Sequence, residues 1–421
     1  MKHIDIRGLR YQVIVAAMAA LLTAACASSG PTAAHGKSDI PTVAPVTQLS
    51  ARGVESSIET IPWPQVGPGW MLAVWSPVTG HRPGETPAPN QPAPNQPNPN
   101  EVTKTLYLVN PAGGRYPITT FPPGTSPRLI DWSSDRGHAL FDLPKPGSVS
   151  ANTVISVDLR TGKQSSFARD QGSPIGYARA DGTGVLIGES HYRDHPGWLA
   201  RVDMAGNQEL AYAVAEDYSG GALATSDGTQ LVLGSASGLA VMSGDGVPGR
   251  RLPVPGKLSA CSPVRWWTPT VVLARCGDAV RYTSAGQLWR VPVDGTAPTA
   301  LTAVNSGQGD DPGFAGDAGD TDAWQLPSGT FLQSIGACGT LFLSRLTPDG
   351  HTTRVKIPGV SDSVRVDGVS GDKLVLTAKA GCGPGTSLLA YDPAASTFTV
   401  LLGPVVNGGS VTEALVYPGR E

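Results

Sequence analysis

Two short stretches of this chain hold side chains whose types and spacing could do chemistry. The segment 188–196 sets Glu189, His191, Asp194 and His195 close together, and imidazole with carboxylate is a donor set that suits zinc. An H-x-x-x-H spacing aligns two ligands only on a helix, however, and Pro196 with the flanking glycines makes this segment a loop. Asp310, Asp311, Asp317, Asp320 and Asp322 form an acidic stretch before Trp324. Oxygen-rich loops bind calcium, but this spacing follows no EF-hand order and lacks the terminal Glu. Both stretches read first as solvated connecting loops. Glu189, His191, His195, Asp317, Asp320 and Asp322 stand as the metal candidates, calcium is the one cofactor carried forward, and no other is expected.

Nucleophile signatures are missing. There is no G-x-S-x-G elbow, no Walker loop and no dinucleotide fingerprint after a strand. Of the seven histidines, His3, His35 and His81 fall in terminal or loop-like segments, leaving few for general acid or base work.

The elements that must position these groups are strands. An apolar alternating run followed by an Asn or Asp turn with Gly recurs along the chain. It reads Leu106 to Val109 before Asn110-Pro-Ala-Gly113, Val154 to Val157 before Asp158-Leu-Arg-Thr-Gly162, and Leu199 to Val202 before Asp203-Met-Ala-Gly206. It returns at Asp245-Gly246, Asp294-Gly295, Asp349-Gly350 and Asp392-Pro-Ala-Ala. A turn repeating every ~42 to 55 residues between period-two strands marks a β-propeller, one four-stranded blade per repeat. The fold class is therefore all-β: a seven-bladed propeller of four-stranded antiparallel blades. Gly 52 and Pro 38 with 15% charged residues agree with a turn-rich chain. Val411 to Tyr417 has no blade of its own and is expected to pair near Trp70 to Trp75, closing the ring.

On this frame the cysteines take definite places. Cys26 aside, there are Cys261, Cys276, Cys338 and Cys382. In an exported protein an even number argues for two disulfides, of open connectivity. A hairpin of Val264 to Trp267 with Thr270 to Ala274 would set residue 267 opposite 270 and, in the same register, 261 opposite 276. Cys338 and Cys382 occupy equivalent loops of adjacent blades, where a bond would staple blade six to blade seven. Metal binding by these thiols lacks a C-x-x-C spacing. All four lie on one rim, which also carries a Pro/Asn-rich insertion at 82–101, expected to be disordered and to act as a solvated spacer, with a recognition arm as the alternative. That rim reads as the working face. Trp266 and Trp267 are adjacent and should face opposite sides of their strand.

The N-terminus carries Lys2, Arg7 and Arg10 before an apolar run from Val13 to Leu22, too short to span a bilayer and suited to a secretory signal. Leu22-Thr-Ala-Ala-Cys26 resembles the lipobox of bacterial lipoproteins, with Thr23 where Leu is commonest. That resemblance implies cleavage after residue 25 and acylation of Cys26, and two or more chains anchor stably. Residues 1–25 are thus read as signal peptide, 26–52 as a flexible lipid-anchored tether, and 53–421 as the propeller. The formal charge is -3, and with no basic stripe to neutralise phosphates a nucleic-acid partner is not expected.

Asp131-Trp-Ser-Ser-Asp-Arg-Gly-His-Ala-Leu-Phe141 resembles the W-S-P-D-G…L-F repeat (WD40-like, PD40) of the TolB family, with Ser134 in place of Pro and Arg136 inserted before Gly137. Weaker copies stand at 180–182 and 226–228. The resemblance implies a TolB-like propeller of the bacterial envelope and carries no active site. Together these readings describe a lipoprotein on the outer face of the cytoplasmic membrane. It would serve as a non-catalytic module for an envelope protein or cell-wall glycan. The alternative is a secreted propeller hydrolase or lactonase whose carboxylates, Asn or His gather around the central channel.

Overall fold

Apolar residues along both sides of a strand need cover on both faces, and stacked blades supply it. Met71–Ser76 is buried along its whole length, and the second strands of the other blades carry similar buried runs, as in Gly184–Glu189 and Lys373–Ala380. The computed structural model describes residues 54–78, 101–144, 152–190, 196–214, 218–277, 286–304, 319–336, 339–380, 385–403 and 409–418. All lie within the compact unit Ala44–Glu421. No helix among them is long and apolar enough to cross a membrane.

The strands form seven antiparallel four-stranded blades. Blades two to seven each run outward in chain order. Their innermost strands are Arg128–Trp132, Ser173–Tyr177, Tyr218–Ala224, Ala260–Thr268, Gly319–Leu326 and Val360–Ser370. Blades four and five are also joined by a single pairing of Ser235 with Cys261. Blade one is assembled from both ends of the chain. Ser410–Val416 is its innermost strand, followed outward by Met71–Ser76, Lys104–Val109 and Arg115–Phe121.

The expected closure is therefore present. Val416 faces Met71 and Val411 faces Trp75, and the Tyr417 N–H donates to Trp70 O at 2.8 Å. Tyr417 also ties this blade to the next, because its hydroxyl donates to Ser134 O at 2.7 Å and its ring meets Trp132 edge-on with centroids 5.1 Å apart.

Every one of the seven repeated turns joins the third strand of a blade to the fourth. The turn residue caps itself locally: Asp158 Oδ1 accepts from the N–H groups of Arg160 and Thr161, and Asp203 Oδ1 from those of Ala205 and Asn207. Gly162, at φ +72°, has a second reason to be glycine, since a Cβ there would be driven into the carbonyl oxygen of Ile118 on the preceding blade. In the 131–141 copy, Asp135 Oδ1 accepts from Ser133 Oγ at 2.5 Å and from the Gly137 N–H at 2.8 Å, and Arg136 takes φ +69°.

Cys261 and Cys276 are bonded across the first two strands of blade five. The hairpin that carries them departs from a straight register: Thr268, not residue 267, pairs nearest the turn, opposite Val271, and bulges on either side of Arg265 and Trp266 absorb two extra residues. Trp266 leans to blade four, its indole donating to Ala224 O at 2.9 Å. Trp267 packs on the opposite side with Leu273, Ala323 and Leu332. Cys26, the signal peptide, the tether, Cys338, Cys382 and most of the 82–101 insertion lie outside the described residues. The insertion falls between the second and third strands of blade one.

Candidate functional site

Glu189 is the exposed last residue of a second strand, opposite Trp198. His191, Asp194, His195 and Asp317 lie outside the described residues. Asp320 and Asp322 are not in a connecting loop: the strand begins at Gly319 and carries both of them along the innermost edge of blade six. They fit there because each has a partner. Asp320 is buried and accepts from Ser334 Oγ at 2.6 Å. A bulge between the two shifts the register, and Asp322 interacts instead with Arg265 of blade five. Among the described residues no three His, Cys, Asp or Glu side chains gather closely enough to hold a metal ion.

What the innermost strands do assemble is a ring of opposed charges. On blade seven, Arg365 Nε donates to Asp367 Oδ1 at 2.7 Å, and Thr377 Oγ1 donates to Asp367 Oδ2 at 2.6 Å. Arg365 Nη1 lies 3.8 Å from Glu413 Oε2 of the closing strand. Burial pushes the Asp367 and Glu413 carboxyls above their ordinary range, with Arg365 opposing the shift in each. On the neighbouring blade six, burial raises the Asp322 carboxyl to about 6, against the pull of Arg265 and the Ala323 N–H. Burial likewise lowers the Arg265 guanidinium, and Asp322 opposes that shift.

Arg265 also forms part of the wall of a cavity of about 240 Å³ among the strands of blades one to five. Residues of blades one to five contribute to it, among them Asp131, Ile175, Leu223, Val264 and Leu415, together with Arg265. They come from the middle or later parts of their innermost strands, so the cavity lies towards the face where those strands end. The disulfide, Glu189 and the site of the insertion are at the opposite face, where the innermost strands begin. The rim read from the sequence as the working face is thus not where this cavity lies.

The sequence does carry a signal for this ring, in charged residues set singly within apolar runs: Val264-Arg265-Trp266, Val364-Arg365-Val366-Asp367, Ile130-Asp131-Trp132. Only knowledge of which strand is innermost turns that signal into a site. Gln333 gives none. It is buried and bonds across to blade seven, with Nε2 donating to Val364 O at 3.1 Å and Oε1 accepting from the Val366 N–H at 2.7 Å.

No protein-family model matches this chain, and no curated protein does. Among solved structures it is similar to TolB from Acinetobacter baumannii, at 13% identity and TM-score 0.43, over 83% of this chain and 67% of that one. It is similar to prolyl oligopeptidase B from Galerina marginata, at 13% identity and TM-score 0.46, over 74% of this chain and 48% of the oligopeptidase. It is similar also to the β-propeller domain of the Trilobed protease from Pyrococcus furiosus, at 12% identity and TM-score 0.44, over 71% and 87% of the two chains. The chain spans about half the length of the oligopeptidase.

Proposed function

We propose that this protein is an exported propeller, anchored by lipid on Cys26 to the outer face of the cytoplasmic membrane, and that it serves as a non-catalytic interaction module for an envelope protein or cell-wall glycan. The observation that carries this reading is the engagement of the inner-ring carboxylates. Asp367 is held by Arg365 and Thr377, Glu413 is set beside Arg365, and Asp320 accepts from Ser334. Paired in this way, they act as struts between neighbouring strands and blades. The lipobox-like 22–26 segment and the TolB-like 131–141 segment support the location.

One observation favours the alternative of a propeller hydrolase: Asp322, with its carboxyl raised to about 6 next to Arg265, sits in the range suited to a general acid or base at neutral pH. In-cell crosslinking with mass spectrometry, run beside metal analysis of the purified protein, separates the two. The module reading expects a reproducible envelope partner. No specific partner together with a stoichiometric metal would sink it.

A further inference from the structure

We propose that His138 is a proton-operated clasp between blades two and three, holding the first turns of the two blades together when it is charged and loosening them when it is neutral. The inference goes beyond the interaction module and holds for either reading of the protein's role.

His138 opens the second strand of blade two, and its backbone is fixed by the turn before it, donating to Ser133 Oγ at 2.8 Å and accepting the Ser133 N–H at 2.9 Å. The side chain is what can respond. Its imidazole lies against Gly182 in the corresponding turn of blade three, where a Cβ would come within 2.9 Å of the Cβ, Cγ and Nδ1 of His138. It therefore fills the gap between the two blades, and at 33% exposure it exchanges protons with solvent. Three carboxylates act on it from three elements: Asp135 in its own turn, Asp158 at the end of the third strand, and Asp181 in the blade-three turn. The arginines of the same turns have other partners. Arg136 lies over the Tyr417 ring, Arg160 over that of Trp63, and Arg179 pairs with Glu209 at 2.9 Å.

The contact that changes with the proton is that of Nδ1 with Asp135. Nδ1 is buried without a hydrogen-bond partner and lies 3.9 Å from Asp135 Oδ1, beyond hydrogen-bond reach. With the neutral ring's proton on Nε2, Nδ1 turns a lone pair towards that carboxylate, whereas the charged ring offers it an N–H and sets a cation among three anions. One proton thus reverses the sign of the interaction. Asp135 carries the change to the next blade, because its own N–H donates to Ala180 O in the blade-three turn at 2.9 Å. Asp135, joined by the charges of Asp158 and Asp181 and opposed by burial, raises the His138 pKa above its ordinary value. The clasp is therefore closed below the ordinary histidine range and is lost as pH rises through the folded-state value. Both turns continue from the innermost strands that lend Ile130, Asp131, Ile175 and Tyr177 to the cavity wall, so the clasp braces that side of the cavity.

The test pairs carbon-13 histidine NMR of the purified full-length chain with amide hydrogen exchange, each rate divided by its intrinsic value at that pH. The His138 resonance, identified by its loss in His138→Gln, should titrate above the ~6.5 of an exposed histidine. Protection of the Asp135 amide should be severalfold higher at about pH 5.5 than at about pH 7.5. Asp135→Asn keeps an oxygen for Ser133 and Gly137 but loses the charge, so it should lower the His138 midpoint and flatten the response. His138→Gln should flatten it too. Asp322→Asn, which alters the pH dependence of global stability, should leave the Asp135 response in place. A His138 midpoint at or below ~6.5, or equal protection at the two pH values, overturns the proposal. So does a response that survives His138→Gln. Where that variant does not fold, Asp135→Asn identifies the resonance and decides, and an unchanged midpoint and response in it are the contrary result. Neither readout involves an envelope partner, so failure here leaves the interaction reading untouched.

Discussion

Gln333 of blade six reaches across to Val366 of blade seven, where its Oε1 accepts the backbone N–H at 2.7 Å while its Nε2 serves the Val364 carbonyl. The side chain takes the place of a backbone ladder between two sheets that share none. Gln333→Leu keeps the bulk but orphans a buried donor and acceptor, so it should cost about 3 kcal/mol, from roughly 1–3 kcal/mol for each unsatisfied group. Exposed Gln325→Leu should stay within about 0.5 kcal/mol. Urea unfolding of both variants checks the difference, and equal midpoints would remove the bridge from the account.

Ring closure rests on Tyr417 as well as on the closing strand. Tyr417→Phe deletes only the hydroxyl bond to Ser134 O and should cost about 1 kcal/mol. Tyr417→Ala also removes the ring from its contact with Trp132 and should cost ~3–5 kcal/mol. Thermal melts that place the two variants together would show that the ring packing contributes nothing.

The bond between Cys261 and Cys276 closes a short loop, with a sequence separation of 15. Replacing both with serine should lower stability by about 3 kcal/mol. Non-reducing peptide mapping should return a 261–276 linked peptide. Free thiols at both positions in protein purified under oxidising conditions would contradict the pairing.

The inner ring makes stability depend on pH with a definite sign. Asp322 titrates at about 6 when folded and at ~3.9 when unfolded. Between those values the folded state binds more protons, so this residue's contribution is full below about pH 4 and is lost as pH rises through 6. Asp367 and Glu413, also raised by burial, push the same way. Asp322→Asn should therefore be more stable than the parent by about 3 kcal/mol at pH 7.5, and the two should converge near pH 4. Parallel stability curves across that range would refute the assignment.

How much of this was legible in the sequence follows from how local each feature is. The turns at Asp158 and Asp203 could be read because each carboxylate bonds N–H groups two to four residues on. The closing strand could be read because Val411 to Tyr417 alternates and had no other partner. Cys261 opposite Cys276 could be found by counting back along a hairpin, although the bulges near Arg265 and Trp266 moved the turn. Those bulges answer to Ala224 of another blade, which no local pattern reports. The same holds for Asp320 and Asp322. Read along the chain they look like a solvated acidic run, and only Ser334 on the next strand and Arg265 on the next blade explain their burial. Gln333 has no sequence signal at all, because its partners, Val364 and Val366 of blade seven and Phe342 of its own blade, are met through their backbone groups.

The central claim, an exported module that works by contact, is tested most directly with a photocrosslinking residue placed in living cells. One position is Ala93, in the sequence insertion between the second and third strands of blade one, and the other is exposed Ala394, in the turn between the last two strands of blade seven. The account predicts a membrane-fraction protein with lipid on Cys26 and a discrete adduct with one envelope component from at least one of the two positions. A protein recovered unlipidated from the medium, with no specific adduct from either position and a stoichiometric bound metal, would contradict it.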